Sequence, residues 1–210
     1  MTAERGKFIV FEGVDWSGKS TQAFLLTRYL GERKLRVLAT REPGGTPIGE
    51  QIREILLDPA GEDLSTKCEL LLYLASRAQH VNRVISPTIE NGVIVVSERY
   101  NWSTLAYQAY AGGLPLETVE EIAGFATGRL APDLTILLDL DPEVAAMRAL
   151  APGGRGHDRI ERKGIPFQRK VREGFMELAR RHTEKSRIVD ATRPAKQIHE
   201  EVKALVDDVL

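Results

Sequence analysis

The 210-residue sequence has a single cysteine, Cys68, so it can form no intramolecular disulfide and no cysteine-based zinc site. Cys68 stands in an apolar helical pattern with Leu71, Leu72 and Ala75, which predicts that it packs inside the protein. No apolar run approaches the length of a membrane span, and the first six residues lack the apolar core of a signal peptide. We therefore expect no membrane partner and a reducing, cytoplasmic setting.

The sequence also lacks a strong excess of charge. Its 29 basic and 30 acidic residues give a net charge of −1, whereas general nucleic-acid-binding proteins carry a basic bias. We therefore expect no nucleic-acid partner, and any site that binds an anion must be formed by basic groups clustered at one place. An internal repeat, an inter-domain linker and the guanine-binding motif Asn-Lys-x-Asp are all missing. The chain is thus predicted to form one domain over residues 1–210, and a GTPase switch is disfavoured.

A glycine-rich loop follows the first apolar run of the chain. It matches G-x-x-x-x-G-K-[ST] from Gly13 to Ser20, between a strand-like run at 8–12 and a helical pattern. In this setting the backbone N–H groups of the loop and the N-terminus of the helix face a polyphosphate. Lys19 would reach its terminal phosphates, and the Ser20 hydroxyl would ligate Mg²⁺.

Strand-like runs at 7–12, 36–40, 92–97, 134–140 and 187–190 alternate with helical patterns. The third and fourth runs are almost continuously apolar, which is typical of parallel strands covered on both faces. This alternation predicts an α/β fold whose ligand site lies at the carboxyl ends of the strands. Glu98 directly follows the third run, at a strand end where a second acid that organises Mg²⁺ is expected. Arg99 beside it could bind phosphates.

The middle of the chain carries residues suited to holding a planar base. Tyr73 and Arg77 are four apart on one helix face and could bind a base by stacking and hydrogen bonding. The alternative is a core-edge tyrosine beside a surface arginine. Residues 103–108 add hydroxyl, phenol and amide groups within two turns. Arg53 lies off the apolar stripe of its helix, a position more often occupied by a solvated charge.

The segment at about 151–164 is basic, flanked by glycine and poor in apolar residues. It predicts a small mobile lid that closes over phosphates. A solvated charged surface is the alternative. The presence of a phosphate loop favours the lid, because phosphoryl transfer needs cations on the transferred group.

Together these motifs resemble bacterial thymidylate kinase, from about residue 7 to residue 210. The matching segments are Phe11-Glu12-Gly13-Val14-Asp15, Gly18-Lys19-Ser20-Thr21-Gln22, Thr40-Arg41-Glu42-Pro43-Gly44-Gly45-Thr46, Tyr73 with Arg77, Arg99-Tyr100, Ser103, Ala106-Tyr107-Gln108, Pro132-Asp133-Leu134-Thr135 and Asp158-Arg159-Ile160-Glu161. The phosphate loop is shared by many families, whereas the ordered set is specific to this one. The resemblance implies a P-loop NTPase fold in three layers, with a five-stranded parallel sheet covered by helices on both faces.

The family transfers a phosphoryl group from MgATP to dTMP, giving dTDP for dTTP biosynthesis, and it usually forms homodimers. The resemblance implies catalytic roles for Lys19, Glu98, Arg99, Arg155 and Arg159. It implies an ATP site of Gly13, Val14, Asp15, Trp16, Ser17, Gly18, Lys19, Ser20 and Thr21, with residues 190–192 beside the adenine. It implies a dTMP site of Asp15, Arg53, Tyr73, Arg77, Arg99, Thr104, Tyr107 and Gln108, in which Tyr107 crowds the 2′ position of the sugar. The Mg²⁺ ligands would be Ser20, Asp15 and Glu98.

Four positions depart from the family pattern. Glu98 replaces the usual Asp, and Tyr73 the usual Phe. Trp16 and Trp102 stand where smaller or polar residues are common, and some relatives carry at position 16 an arginine that reaches the donor. We therefore expect the lid to supply more of the positive charge. Two other interpretations stay open: a kinase for another nucleotide or nucleoside, such as dUMP or dCMP, and a non-catalytic nucleotide-binding or regulatory protein.

Overall fold

The computed structural model describes residues 5–61, 63–150 and 159–210. Five parallel strands form one sheet, in the order β2-β3-β1-β4-β5. The strands are β1 Phe8–Glu12, β2 Val37–Arg41, β3 Ile94–Glu98, β4 Leu134–Asp139 and β5 Ser186–Asp190. Each lies within about two residues of a run predicted from the sequence, so the parallel α/β fold is confirmed.

Helices connect successive strands. They are α1 Lys19–Glu32, α2 Pro47–Leu57, α3 Thr66–His80, α4 Ser86–Glu90, α5 Asn101–Thr104, α6 Leu116–Thr127, α7 Pro142–Ala149, α8 Gly164–Arg181 and α9 Ala195–Asp207. Two π-helical segments, Val81–Ile85 and Leu105–Ala111, continue α3 and α5, and a short 3₁₀ turn spans Glu161–Lys163. None of the helices in the described part of the chain is long and apolar enough to cross a membrane.

The side chains of β1 alternate between two clusters of the core, one on each face of the sheet. Ile9 and Phe11 pack in a cluster with residues of α1, α8 and α9. Phe8 and Val10 pack on the opposite face with Ile85 and its neighbours. All five residues of β1 are buried because successive side chains point to opposite faces and helices cover both. The prediction of a sheet covered on both faces is therefore confirmed.

The prediction that Cys68 is buried is wrong. Cys68 is exposed, as are Leu71 and Ala75 at helical spacing from it. The buried face of α3 carries Leu70 and Leu74 instead. Helix α3 thus has two apolar faces, and the sequence pattern alone did not show which of them meets the core.

Candidate active site

A cavity of about 920 Å³ opens at the carboxyl ends of the central strands. Most of the predicted nucleotide-binding residues line it. These are Asp15, Trp16, Ser17, Gly18, Lys19, Ser20, Thr21, Arg53, Tyr73, Arg77, Glu98, Arg99, Thr104, Tyr107 and Gln108. Residues separated by up to 93 positions in the chain are brought to one cavity, because the loops and helices that carry them follow β1, β2 and β3, which are neighbours in the sheet.

The phosphate loop needs glycine at both of its ends. Gly13 has a φ of 140°, and a Cβ there would lie 2.5 Å from the Leu138 carbonyl oxygen. Gly18 caps the start of α1 with a left-handed backbone at φ 96°. An L side chain rarely adopts either conformation, so both positions favour glycine. Trp16 is left-handed as well, at φ 62°, without being glycine.

Lys19 is buried and folds back onto its own loop. Its Nζ donates to the carbonyl oxygens of Gly13, at 3.1 Å, and Val14, at 2.7 Å. The pKa of Lys19 is lowered from 10.5 to about 7, mainly by burial and also by the positive charge of Arg99. Polyphosphate oxygens in this loop would favour the charged form of Lys19 and so raise this pKa.

Ser20 and Glu98 meet at the mouth of the loop. The Ser20 hydroxyl donates to Glu98 Oε2 at 2.5 Å. A hydroxyl and a carboxylate are hard oxygen ligands of the kind that Mg²⁺ prefers, alongside phosphate oxygens and water. The described residues contain no cluster of three or more His, Cys, Asp or Glu that could hold a metal by themselves. The Ser20 hydroxyl and the Glu98 carboxylate are by their chemistry oxygen donors that fit Mg²⁺.

Asp15, Arg99 and Tyr107 form a second cluster in the middle of the cavity. Arg99 Nη2 donates to Asp15 Oδ1 at 2.7 Å and to the Tyr107 hydroxyl at 3.3 Å. The Tyr107 hydroxyl in turn donates to Asp15 Oδ2 at 3.2 Å. Burial raises the pKa of Tyr107 well above its ordinary value, so its phenol stays protonated. The structure thus places Asp15, a predicted metal ligand, against Arg99 and Tyr107.

Glu12 supports this cluster, although sequence reasoning gave it no role. Its carboxylate accepts hydrogen bonds from the backbone N–H groups of Tyr100 and Ser103, at 2.8 and 3.1 Å, and from the Ser103 hydroxyl at 2.6 Å. Ser103 also accepts from Arg99. Burial raises the pKa of Glu12 above its ordinary value of 4.5, although these hydrogen bonds act to lower it. An acid directly before the loop glycine was the only sequence signal for this role.

Arg77, which lines the same cavity, is buried and held by three hydrogen bonds. It donates to Glu42 Oε2 at 2.5 Å, the Thr104 hydroxyl at 2.6 Å and the Tyr100 carbonyl oxygen at 2.9 Å. A guanidinium has five N–H donors, and these contacts involve all three of its nitrogen atoms. Tyr73 lines the same cavity, which confirms that Tyr73 and Arg77 share a face. The alternative of a surface arginine is excluded.

Arg53 reaches the cavity from α2. Its Nη1 donates to the Pro43 carbonyl oxygen at 2.9 Å, within the turn that follows β2. The side chain lines the cavity, so it is placed where an anionic ligand could be bound. Its predicted contact with the acceptor phosphate stays a prediction.

The structure places Arg159 away from the phosphate loop. Its Nε donates to the Leu56 carbonyl oxygen at 3.0 Å, and its Nη2 lies 2.7 Å from Glu69 Oε2. The side chain is 6% exposed. Contact with donor phosphates would require Arg159 to leave Glu69, and this role stays a prediction. Arg155 and most of the predicted lid, residues 151–158, lie outside the described residues.

Two contacts near the donor side of the cavity were not foreseen. The Trp16 indole N–H donates to Glu161 Oε1 at 3.0 Å, which joins the phosphate loop to the predicted lid segment. Arg148, which lines the cavity, donates to the carbonyl oxygens of Trp16 and Ala191, at 3.2 and 2.7 Å. Neither contact follows from local sequence, because the partners are far apart in the chain.

A parallel sheet in the order 2-3-1-4-5, with a glycine loop and a buried lysine between β1 and α1, defines a P-loop nucleotide-binding protein. A family model described as thymidylate kinase matches residues 11–202. The thymidylate kinase of Symbiobacterium thermophilum is 49% identical over 203 residues, 97% of this chain and 94% of that protein. Those of Carboxydothermus hydrogenoformans and Pelotomaculum thermopropionicum are 47% and 46% identical, each over at least 95% of both chains. The chain belongs to the thymidylate kinase family.

Proposed function

We propose that this protein transfers a phosphoryl group from ATP to dTMP and releases dTDP and ADP. The observation that carries the proposal is that one cavity is lined both by the phosphate loop and by Tyr73, Arg77 and Gln108. A donor nucleotide would extend from the loop, and an acceptor base would lie between Tyr73 and Arg77. The acceptor phosphate would then meet the donor near Arg99.

Positive charge is the main catalytic requirement of this reaction. A phosphate monoester is largely ionised near neutral pH, with a second pKa of about 6, so the acceptor needs no strong general base. Two anions must instead be held together and in line. Lys19 and Arg99 would supply positive charge at the two sides of the reacting centre, with Lys19 charged once phosphate oxygens lie beside it. In related phosphoryl-transfer enzymes an arginine on the transferred group contributes about 10³–10⁵ in rate.

The remaining residues orient the acceptor. Asp15 and Tyr107 would face the sugar, with the Tyr107 ring crowding the 2′ position. Arg53 and Arg99 would bind the acceptor phosphate, and Thr104 and Gln108 would contact the edge of the base. The lid segment at about 151–164 would bring Arg155 to the donor phosphates. The lid would belong to one kinase domain over residues 1–210.

Mg²⁺ would be held by Ser20 and Glu98, with Asp15 nearby, together with oxygens of the donor phosphates. When bound, the ion supplies positive charge that offsets the phosphate charge in the transition state. The Ser20 hydroxyl already points at Glu98, so these two side chains support the assignment. The side chain of Glu98 is one methylene longer than that of the usual Asp. The hydrogen bond from Ser20 would hold this longer side chain in place at the metal site.

We also propose a homodimer and a cytoplasmic location. Helix α3 packs against both α2 and α6, and all three carry exposed apolar side chains. These side chains are Ile48, Ile55, Cys68, Leu71, Ala75 and Phe125, and we call them the α2–α3–α6 patch. Phe125 alone is 87% exposed. Exposed apolar side chains on neighbouring helices are typical of interfaces, and a second copy of the chain would cover them.

A coupled assay of ADP release with MgATP tests the proposed activity. The acceptor panel is dTMP, dUMP, dCMP and the corresponding ribonucleotides. We expect the highest kcat/KM with dTMP. A higher value with another monophosphate would reject the assigned substrate, and nucleotide binding without turnover on any acceptor would favour a non-catalytic role.

A further inference from the structure

The side-chain amide of Gln108 has one orientation in the folded protein. Its Nε2 donates to Glu69 Oε1 at 2.7 Å, and both residues are 1% exposed. A carboxylate can only accept hydrogen bonds, so the amide must turn its N–H toward Glu69. The carbonyl oxygen of Gln108, together with the second N–H of the amide, is then left for the cavity, which this residue lines.

Glu69 is itself held by two cations. Lys163 Nζ donates to its Oε1 at 3.2 Å and to its Oε2 at 3.0 Å, and Arg159 Nη2 lies 2.7 Å from Oε2. Both partners are donors without any acceptor atom. They fix the carboxylate at the edge of the base pocket, where it determines which atom of Gln108 faces the ligand.

We propose that Glu69 is a positioning residue that determines base specificity by fixing the Gln108 amide with its carbonyl oxygen toward the base. An oxygen at this place accepts from a pyrimidine that carries N–H at ring position 3, as thymine and uracil do. Cytosine has a lone pair there, and two facing acceptors in a buried site leave both unpaired. This inference rests on the proposed function, and it ranks dUMP above dCMP as a secondary acceptor.

Glu69→Gln tests the inference directly. The oxygen of the new amide must face Arg159 and Lys163, because neither can accept a hydrogen bond. Its NH₂ group then faces Gln108, whose amide turns over and presents NH₂ to the base. We expect the ratio of kcat/KM for dTMP over dCMP to fall about tenfold or more, as one buried hydrogen bond becomes a repulsive contact.

Two further variants separate this role from a structural one. Lys163→Met removes a cation but leaves the Glu69 acceptor, and we expect the ratio of dTMP to dCMP to stay within about twofold of the unmodified protein. Gln108→Met removes the amide and lowers the ratio by itself. In that background Glu69→Gln should change the ratio no further, because Glu69 acts through the amide.

Thermal unfolding of each variant checks that it is folded. An unchanged ratio in a folded Glu69→Gln variant would overturn the inference, and so would an equal fall with and without Gln108. If Glu69→Gln does not fold, Gln108→Met decides, since an unaltered ratio there leaves the amide without a role. Absence of dTMP turnover in the unmodified protein would instead reject the proposed function.

Discussion

The Ser20 hydroxyl donates to the Glu98 carboxylate across 2.5 Å and thereby joins the start of α1 to the end of β3. The two residues lie 78 positions apart in the sequence. Their contact brings a hydroxyl and a carboxylate together at the phosphate loop, where the proposed Mg²⁺ would bind.

Glu98→Gln should lower MgATP-dependent turnover by at least about 10–100-fold, the range typical of losing even an outer-shell partner of a metal site. The measurement is ADP release with dTMP as a function of Mg²⁺ concentration, and the Mg²⁺ requirement should increase. Glu98→Asp keeps the charge and restores the residue usual in the family, so it should remain active. Full turnover by Glu98→Gln at low Mg²⁺ would show that this carboxylate does not organise the metal.

Trp16→Phe should lower kcat by about twofold to tenfold with little change in KM for dTMP. The substitution keeps an aromatic ring but removes the N–H that reaches Glu161, a hydrogen bond worth about 0.5–1.5 kcal/mol. Glu161→Gln retains an acceptor for the indole and should have the smaller effect.

Fluorescence of Trp16 reports the same contact. In a Trp102→Phe background Trp16 is the only indole, since the sequence has two tryptophans. MgATP should change its emission if the loop and the lid segment move relative to each other. Unaltered emission together with unaltered kcat in Trp16→Phe would contradict a coupling between them.

The buried pair of Glu42 and Arg77 should make stability depend on acid pH. Burial alone would raise the pKa of Glu42, but Arg77 and His80 lower it below 4.5. The stabilisation is therefore present above pH 4.5 and is lost as the pH falls through the lower value in the folded state.

Glu42→Gln should reduce the free energy of unfolding at pH 7 by about 3–5 kcal/mol, because it leaves buried Arg77 without its counter-ion. Urea unfolding across pH 3 to 7 measures the difference in the free energy of unfolding between the variant and the unmodified protein. This difference should become smaller below pH 4.5. Glu54→Gln, at an exposed carboxylate, is the control and should have little effect. A difference that stays constant with pH would contradict the assigned linkage.

Phe125→Glu should convert the proposed dimer into a monomer. A charge in the middle of an apolar interface is costly to bury, so association should weaken by at least about 100-fold. Sedimentation velocity at micromolar concentration would measure the change. Phe24→Glu is the matched control, because Phe24 is 62% exposed on α1, outside the α2–α3–α6 patch. An equal loss of association in both variants would point to a different interface.

Tyr107→Ala should admit a ribonucleotide acceptor, with the ratio of kcat/KM for the ribonucleotide over dTMP rising about tenfold or more. The Tyr107 ring packs against Phe167 and Phe175, which hold it in place beside Asp15. Tyr107→Phe keeps the ring and should keep the discrimination, while losing the contacts of the hydroxyl. No gain in ribonucleotide use by the alanine variant would count against a steric role at the 2′ position.

The phosphate loop and the sheet could be predicted because their signals are local. Gly13, Gly18 and Lys19 stand within seven residues, and backbone conformation restricts the residue type at each glycine. The strands appear as apolar runs because both faces of the sheet are covered. Tyr73 and Arg77 are one helical turn apart, so their common face also follows from the sequence.

Pairing between distant charges could not be predicted in the same way. Arg159 matches a motif of the family, but its neighbours depend on how the segment that follows α7 meets α2 and α3. The structure places it against Leu56 and Glu69 rather than at the phosphate loop. The prediction that Cys68 is buried was wrong for a related reason, since an apolar face of a helix can meet either the core or another protein surface.

By itself, the sequence determined the class of fold, the position of the phosphate loop and the family, since each depends on residue type at short spacing. The tertiary structure decided the partners: Glu42 with Arg77 across 35 positions, Gln108 with Glu69 across 39 and Trp16 with Glu161 across 145. Such contacts depend on how strands and helices pack, because a charged or polar side chain pairs with whichever complementary group the fold brings within reach.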